Sequence, residues 1–456
     1  MKREARTDLP VDLVLNNAKI YTRKGFVEAG LAIDEGRIFR IAKETNLPPA
    51  SEKLDLKELL LLPGMIDSHV HLRDQQLAYK EDFFSGTAAA AAGGVTSVID
   101  MPNNKPVTMS SESLRERMGI AEKKAIVNVA FYSAFPPDLS EINLIVEEGA
   151  VAFKLFLSQK IGGLDIEDDD ALSKAFDKVS ETKVPIAVHA EDRETIEKAT
   201  TGLQKTGRRD VEARLEARSP KAERKAIQRT IRLVERTEAH VHFCHLSSAI
   251  GLNAFLDAKK DGLPVTCEVT PHHLFLSSEH LKRLKTLALV DPPLRTQKDI
   301  RALWKAVKQG LIDVISTDHA PHTIEEKKAV SVWEAKAGFP GLETMLPLLL
   351  TQVNHDHLSL STLVRATSET PAQIFNLKNR GCLVEGNHAD LVAVDMSQEY
   401  EIDASEFYSK AKYSPFDGWK VKGKPVKTLV DGKLVMDGGE IVAEPGIGQV
   451  IRRPKS

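Results

Sequence analysis

Read as a string of apolar and polar positions, the chain changes period twice. From Val11 to Lys43 ("VDLVLNNAKIYTRKGFVEAGLAIDEGRIFRIAK") the two classes alternate, the period of a half-buried strand. Asn16-Asn17 and Glu35-Gly36 offer turns, so antiparallel strands are expected. The pattern returns near the end in "ADLVAVDM" and "VKTLVDGKLVMDGGEIV", with Asp431-Gly432 as a hairpin signal. Two β-rich ends predict one small β domain, sandwich-like, assembled from residues 1–60 and 385–456.

Residues 61–384 behave differently. Short β-rich runs alternate with helix-like stretches such as "EDFFSGTAAAAAGG" and "TQKDIRALWKAVKQG". Eight such runs can be read: Leu61–Val70, Val95–Met101, Ile126–Ser133, Ala150–Phe156, Val184–His189, Val241–His245, Pro264–Val269 and Ile312–Thr317. Alternation implies a parallel sheet, and eight repeats imply a closed (β/α)8 barrel. A doubly wound open sheet gives a similar pattern; the count and the placement of polar residues favour the barrel. The segment Ala199–Arg236 interleaves acids and bases and reads as a solvated helix pair with charges paired four residues apart.

Composition narrows the function classes. A net charge of −3 offers no basic face for nucleic acid. No stretch approaches the roughly 20 apolar residues of a membrane span, and the N-terminus lacks a signal-peptide run. Three unpatterned cysteines, Cys244, Cys267 and Cys382, point to a reducing, cytoplasmic compartment. The expected partner is therefore a small-molecule substrate.

The chemistry gathers at strand ends. Alternation puts Asp67, His69 and His71 of "PGMIDSHVHLRD" on one face, and in a barrel strand that face opens into the active-site mouth. Such a pair is ligating or merely hydrogen-bonded. The other runs end in His189 ("PIAVHAED"), His245 ("HVHFCHLSS") and Asp318 ("DVISTDHAPH"). Four histidines and an aspartate at the ends of the first, fifth, sixth and eighth strands suit a divalent metal, zinc being the economical choice. Lys154, in "VAFKLFLS", is flanked by apolar residues. It is either paired, for example with Glu191, or neutral enough to take up carbon dioxide as a carbamate that bridges two metals.

These five separated motifs, in this order, resemble the signature of the amidohydrolase superfamily, specifically its cyclic-amidase branch. The resemblance implies a binuclear zinc site. In it His69, His71 and Asp318 hold one ion, His189 and His245 the other, and carboxylated Lys154 bridges both. Arg73, Asn103 and His322 resemble the carboxylate clamp of dihydroorotases, with arginine able to grip a carboxylate bidentately. Stretches such as "YKEDFFSGTAAAAAGGVT", "DHAPHTIEEK" and "SPFDGWKVKGK" are similar to the dihydroorotase domain of the animal pyrimidine-biosynthesis polypeptide. The implied reaction is the reversible cyclisation of N-carbamoyl-L-aspartate to L-dihydroorotate, with Asp318 as general base and then acid. Hydantoinase, dihydropyrimidinase or allantoinase activity is the alternative within the branch. A non-enzymatic scaffold would be expected to have lost ligands, and every expected ligand is here. His273, in "PHH", is read as orienting a ligand by hydrogen bond; the resemblance also implies a homo-oligomer and backbone groups of Gly338, Pro340 and Gly341 near the ring.

The chain departs from the dihydroorotase pattern after Arg73, where "HLRDQQ" stands in place of "HLREPG". Asp291, in "VDPPLR", occupies a position where relatives often carry an amide or a base. An acid there either points away from an anionic substrate or is neutralised by Arg295.

Overall fold

The computed structural model describes residues 10–453. One sheet has eight strands in sequential order: β1 (Met65–Val70), β2 (Val95–Asp100), β3 (Asn128–Ala134), β4 (Ala152–Phe156), β5 (Ile186–His189), β6 (Val241–Phe243), β7 (Val265–Val269) and β8 (Val314–Ile315). Neighbouring strands are parallel throughout. The sheet closes where Val70 bridges His319 and the His71 N–H donates to the His319 carbonyl at 2.8 Å. Every residue of β2, β3 and β4 is buried, as expected when helices cover one face and side chains fill the other.

The second sheet has nine strands and takes residues from both ends of the chain. Leu60–Pro63 lies at its centre, parallel to Val11–Thr22 and antiparallel to Leu391–Glu401. The run read as one strand over Leu61–Val70 is therefore two, divided at Gly64. A side chain at Gly64 would collide with Thr96, its Cβ lying 2.2 Å from the Thr96 hydroxyl. Apolarity alone could not reveal this division, because both halves are buried.

Two turn readings hold and one does not. Glu35-Gly36 and Asp431-Gly432 have paired positive φ values (50° and 73°; 46° and 77°), as two-residue hairpins require. Asn16-Asn17 instead lies inside Val11–Thr22, where a register shift and φ of 54° at Asn17 mark a β-bulge. Beyond Ile441 the chain returns to the barrel, with Gly446 and Gly448 donating to the Ala125 carbonyl and Ile451 to that of Val129.

Candidate metal centre and substrate pocket

Barrel closure brings the strand ends together. His69 Nε2 lies 3.3 Å from Asp318 Oδ1, and His71 Nε2 lies 3.1 Å from the same oxygen. His189 Nδ1 and His245 Nε2 are 3.1 Å apart, and the rings of His69 and His245 are 5.2 Å apart. Ligand atoms of His69, His245 and Asp318 all fall within 4.8 Å of one another. Two imidazole nitrogens on one tetrahedral zinc sit about 3.3 Å apart, so this donor set fits such an ion. Lys154 is fully buried beside them, its Nζ 2.8 Å from Cys244 Sγ and 5.0 Å from the Phe156 ring centre. Among the described residues it forms no ion pair; Glu191 is taken by Arg218 and His189. A buried, unpaired ammonium at a cation site is unfavourable, and carbamylation would turn it into a bridging anion.

The imidazoles are aimed by residues behind them. Glu268, inward on β7, accepts from His69 Nδ1 and from His242 Nε2 (3.2 Å), which leaves His69 Nε2 facing the cavity. Asn103 Oδ1 accepts from His71 Nδ1 at 2.7 Å, and Glu191 accepts from His189 Nε2 at 2.9 Å. Asp67 Oδ1 takes the backbone N–H groups of His69 (3.1 Å) and Thr317 (3.2 Å), tying β1 to the loop after β8. Burial pushes His69, His71 and His245 below the usual histidine range, which favours the neutral form that a metal would require. Burial raises Asp318, with His69 and Lys154 opposing.

Above these ligands opens a cavity of about 360 Å³. Arg73, Asn103 and His322 all line it, with Arg73 Nη2 3.3 Å from His322 Nε2. Arg73 has a φ of 56°, and its buried Nε lacks a partner among the described residues. Asp291 also lines the cavity, and Arg295 does not neutralise it. Arg214 grips it (2.5 Å) and Arg218 reaches it at 3.0 Å, while Arg295 donates to Ser247 Oγ and the Arg218 carbonyl. Both arginines come from the segment read as solvated helices; it forms Arg193–Lys205, Val211–Ala217 and Pro220–Thr237 and sends these two side chains inward.

The chain matches the amidohydrolase family profile over residues 60–435. It belongs to the amidohydrolase family. It is 38% identical to a dihydroorotase of Methanothermobacter thermautotrophicus over 435 residues, covering 95% of this chain and 96% of that one. It is 37% identical to a dihydroorotase of Pyrococcus furiosus, covering 97% of each. Among solved structures it is similar to an L-hydantoinase (dihydropyrimidinase) from Arthrobacter aurescens, with a TM-score of 0.93 and 33% identity, covering 97% of this chain and 100% of that one.

Other residues of this amidohydrolase stand further from the cavity. His273 bonds to Thr270 Oγ1 (2.9 Å) and the Pro292 carbonyl (3.0 Å), so both ring nitrogens support the turn after Asp291 rather than orienting a candidate ligand by hydrogen bond. Gly338 lines the cavity, with a φ of 123° where a Cβ would lie 2.4 Å from the Ala320 carbonyl oxygen. Pro340 and Gly341 are outside the lining, and the Gly341 N–H is spent on His319 Nδ1 at 3.2 Å. Sequence reasoning missed Glu268, Arg214 and Arg218, and offered Glu191 only as a partner for Lys154, whereas it pairs with His189 and Arg218. Glu268 carried a usable signal, a charged residue inside an apolar strand ("VTCEV"), the same feature that singled out Lys154.

Proposed function

We propose that this amidohydrolase is a dihydroorotase, interconverting N-carbamoyl-L-aspartate and L-dihydroorotate at a site for two zinc ions bridged by carboxylated Lys154. Its relatives named dihydroorotases support the reading. The observation that carries it is that Arg73, Asn103 and His322 line one cavity together with His71 and Asp318, Asn103 against His71 and Arg73 against His322. A guanidinium, an amide and an imidazole there match a substrate carboxylate. His69, His71 and Asp318 would hold one ion and His189 and His245 the other. Bound there, the metals supply Lewis acidity toward the ring amide and lower the pKa of the attacking water.

The protein's own groups carry the remaining work. Asp318, within 3.3 Å of His69 Nε2 and 3.1 Å of His71 Nε2, takes the proton released by the nucleophile and returns it to the departing ring nitrogen. In the cyclising direction it accepts the proton from the attacking ureido nitrogen. Arg73, Asn103 and His322 fix the substrate carboxylate, so that the ring-forming atoms meet in reactive geometry. Three unpaired cysteines support a reducing, cytoplasmic location. No helix among the described residues is long and apolar enough to cross a membrane. We place the working enzyme in a homo-oligomer.

The test is one preparation assayed separately with L-dihydroorotate, dihydrouracil, hydantoin and allantoin, together with metal quantitation. Turnover of dihydroorotate with two zinc ions per chain is expected. Turnover of only the uncharged rings would overturn the reading in favour of a hydantoinase, the activity named for the similar Arthrobacter structure.

A further inference from the structure

His322 is asked to donate a hydrogen bond, and nothing on its own ring guarantees that it can. It is mostly buried, and burial together with the positive charges of Arg73, Lys80 and Lys327 holds it far below the usual histidine range. It is therefore neutral, with one proton for two nitrogens. Only the form protonated on Nε2 can donate into the cavity; the other presents a lone pair to an anion.

The surroundings decide between the two. Each nitrogen faces one donor and one acceptor. Nδ1 lies 3.1 Å from the Lys80 ammonium and 3.3 Å from Glu326 Oε2. Nε2 lies 3.0 Å from the Ala337 carbonyl and 3.3 Å from Arg73 Nη2. The shorter contact on each side specifies the same form: Lys80 donates to Nδ1, and Nε2–H donates to Ala337.

Glu326 is also committed elsewhere. Its Oε1 takes Lys80 Nζ at 2.8 Å and the Tyr79 hydroxyl at 3.1 Å, while Oε2 takes the Thr323 N–H at 3.2 Å. That last bond completes a capping box in which the Glu326 N–H donates back to Thr323 Oγ1 at 3.3 Å. Glu326 is thus pinned by the short helix Ile324–Lys327 and in turn pins Lys80. Lys80 is only 7% exposed and lies on the loop after β1, outside the cavity lining. It cannot touch a substrate in the cavity directly.

We infer that Lys80 is a positioning residue for substrate recognition: anchored by Glu326, its ammonium holds His322 as the Nε2–H form, so that the imidazole can hand a proton to the substrate carboxylate in place of the Ala337 carbonyl. The inference rests on the dihydroorotase reading, because it needs a carboxylate in the cavity.

The experiment compares the zinc-loaded wild type with Lys80→Met and Lys80→Met/Glu326→Gln, using L-dihydroorotate. In Lys80→Met the remaining neighbour of Nδ1 is the Glu326 carboxylate, which draws the proton to Nδ1. KM is expected to rise about tenfold to hundredfold, the range of one charge-assisted hydrogen bond, with a smaller change in kcat. In the double variant the glutamine amide can donate to Nδ1, and KM recovers. Zinc content and melting temperature confirm that both variants are folded; if Lys80→Met does not fold, Lys80→Leu takes its place with the same expectations, alone and combined with Glu326→Gln. An unchanged KM in folded Lys80→Met, a fall in kcat alone, or no recovery in the double variant overturns the inference. So does a KM increase that vanishes in about 1 M KCl, where the Debye length is about 3 Å, since that is simple charge repulsion. Failure of the wild type itself to turn over dihydroorotate is a different result, and it removes the functional reading instead.

Discussion

Replacing Glu268 by glutamine tests whether residues behind the imidazoles set metal affinity. Glu268 is fully buried and gathers His69 Nδ1, His242 Nε2 (3.2 Å) and the His245 N–H (3.2 Å). A glutamine keeps one acceptor oxygen for His69 and turns its NH₂ toward His242. His242 can adjust by moving its proton to Nδ1, where Thr266 Oγ1 lies 3.0 Å away. Packing therefore survives, and what disappears is the negative charge that makes His69 a better donor to a cation. Loss of such supporting partners lowers metal affinity about 10- to 100-fold, or about 1.4–2.7 kcal/mol. With its hydrogen bonds rearranged, Glu268→Gln should lie near tenfold. Glu268→Ala, which strands the His69 ring N–H and the His245 backbone N–H in a dry interior, should reach the upper end. Competition for zinc against a chromophoric chelator measures both, with circular dichroism as the folding control. Unchanged zinc affinity in both variants would refute the reasoning.

Arg73→Met should lower kcat/KM for dihydroorotate about 10- to 150-fold, the equivalent of a charged hydrogen bond of about 1.5–3 kcal/mol, with zinc content intact; loss of zinc as well would make Arg73 structural. Lys154→Ala should lose at least one metal per chain by emission spectroscopy and nearly all turnover, and full activity would end the carbamate reading. Glu343 offers a pH prediction away from the metal site. Burial pushes its carboxyl up to about 7, against the backbone N–H groups of Tyr408 and Ser409. The folded chain therefore holds this proton more tightly than the unfolded one, and stability is lost as pH rises from about 4.5 to about 7. The full effect is about 3 kcal/mol. Glu343→Gln should remove it, so urea unfolding of variant and wild type should diverge between pH 5 and pH 8; parallel curves would sink the prediction.

What was legible in the chain were features written in one strand at a time. His69, His71, His189, His245 and Asp318 each interrupt or end an apolar run, and barrel closure then does the gathering. Arg214 and Arg218 could not be read this way. Their neighbours carry the same interleaved charges as a solvated helix, and only the fold turns these two toward Asp291. Residues 61–63 were misassigned because burial on both faces gives the same apolar run in either sheet. Asn16-Asn17 was misread because a bulge and a turn both favour asparagine at positive φ. Lys80 carried no signal of its own in the sequence, because its contact with His322 spans 242 residues and exists only once the barrel closes.

The placing of Leu60–Pro63 also governs when the second sheet can close. One neighbour of that strand, Val11–Thr22, precedes it in the chain, whereas the other, Leu391–Glu401, is made only after every strand of the barrel. Until then a wholly apolar edge stays unpaired, one residue upstream of the strand that bears His69. A nascent chain stopped short of residue 391 would therefore expose that edge and be prone to self-association, so that the synthesis of Leu391–Glu401, beyond the last barrel strand, is what closes the middle of the second sheet.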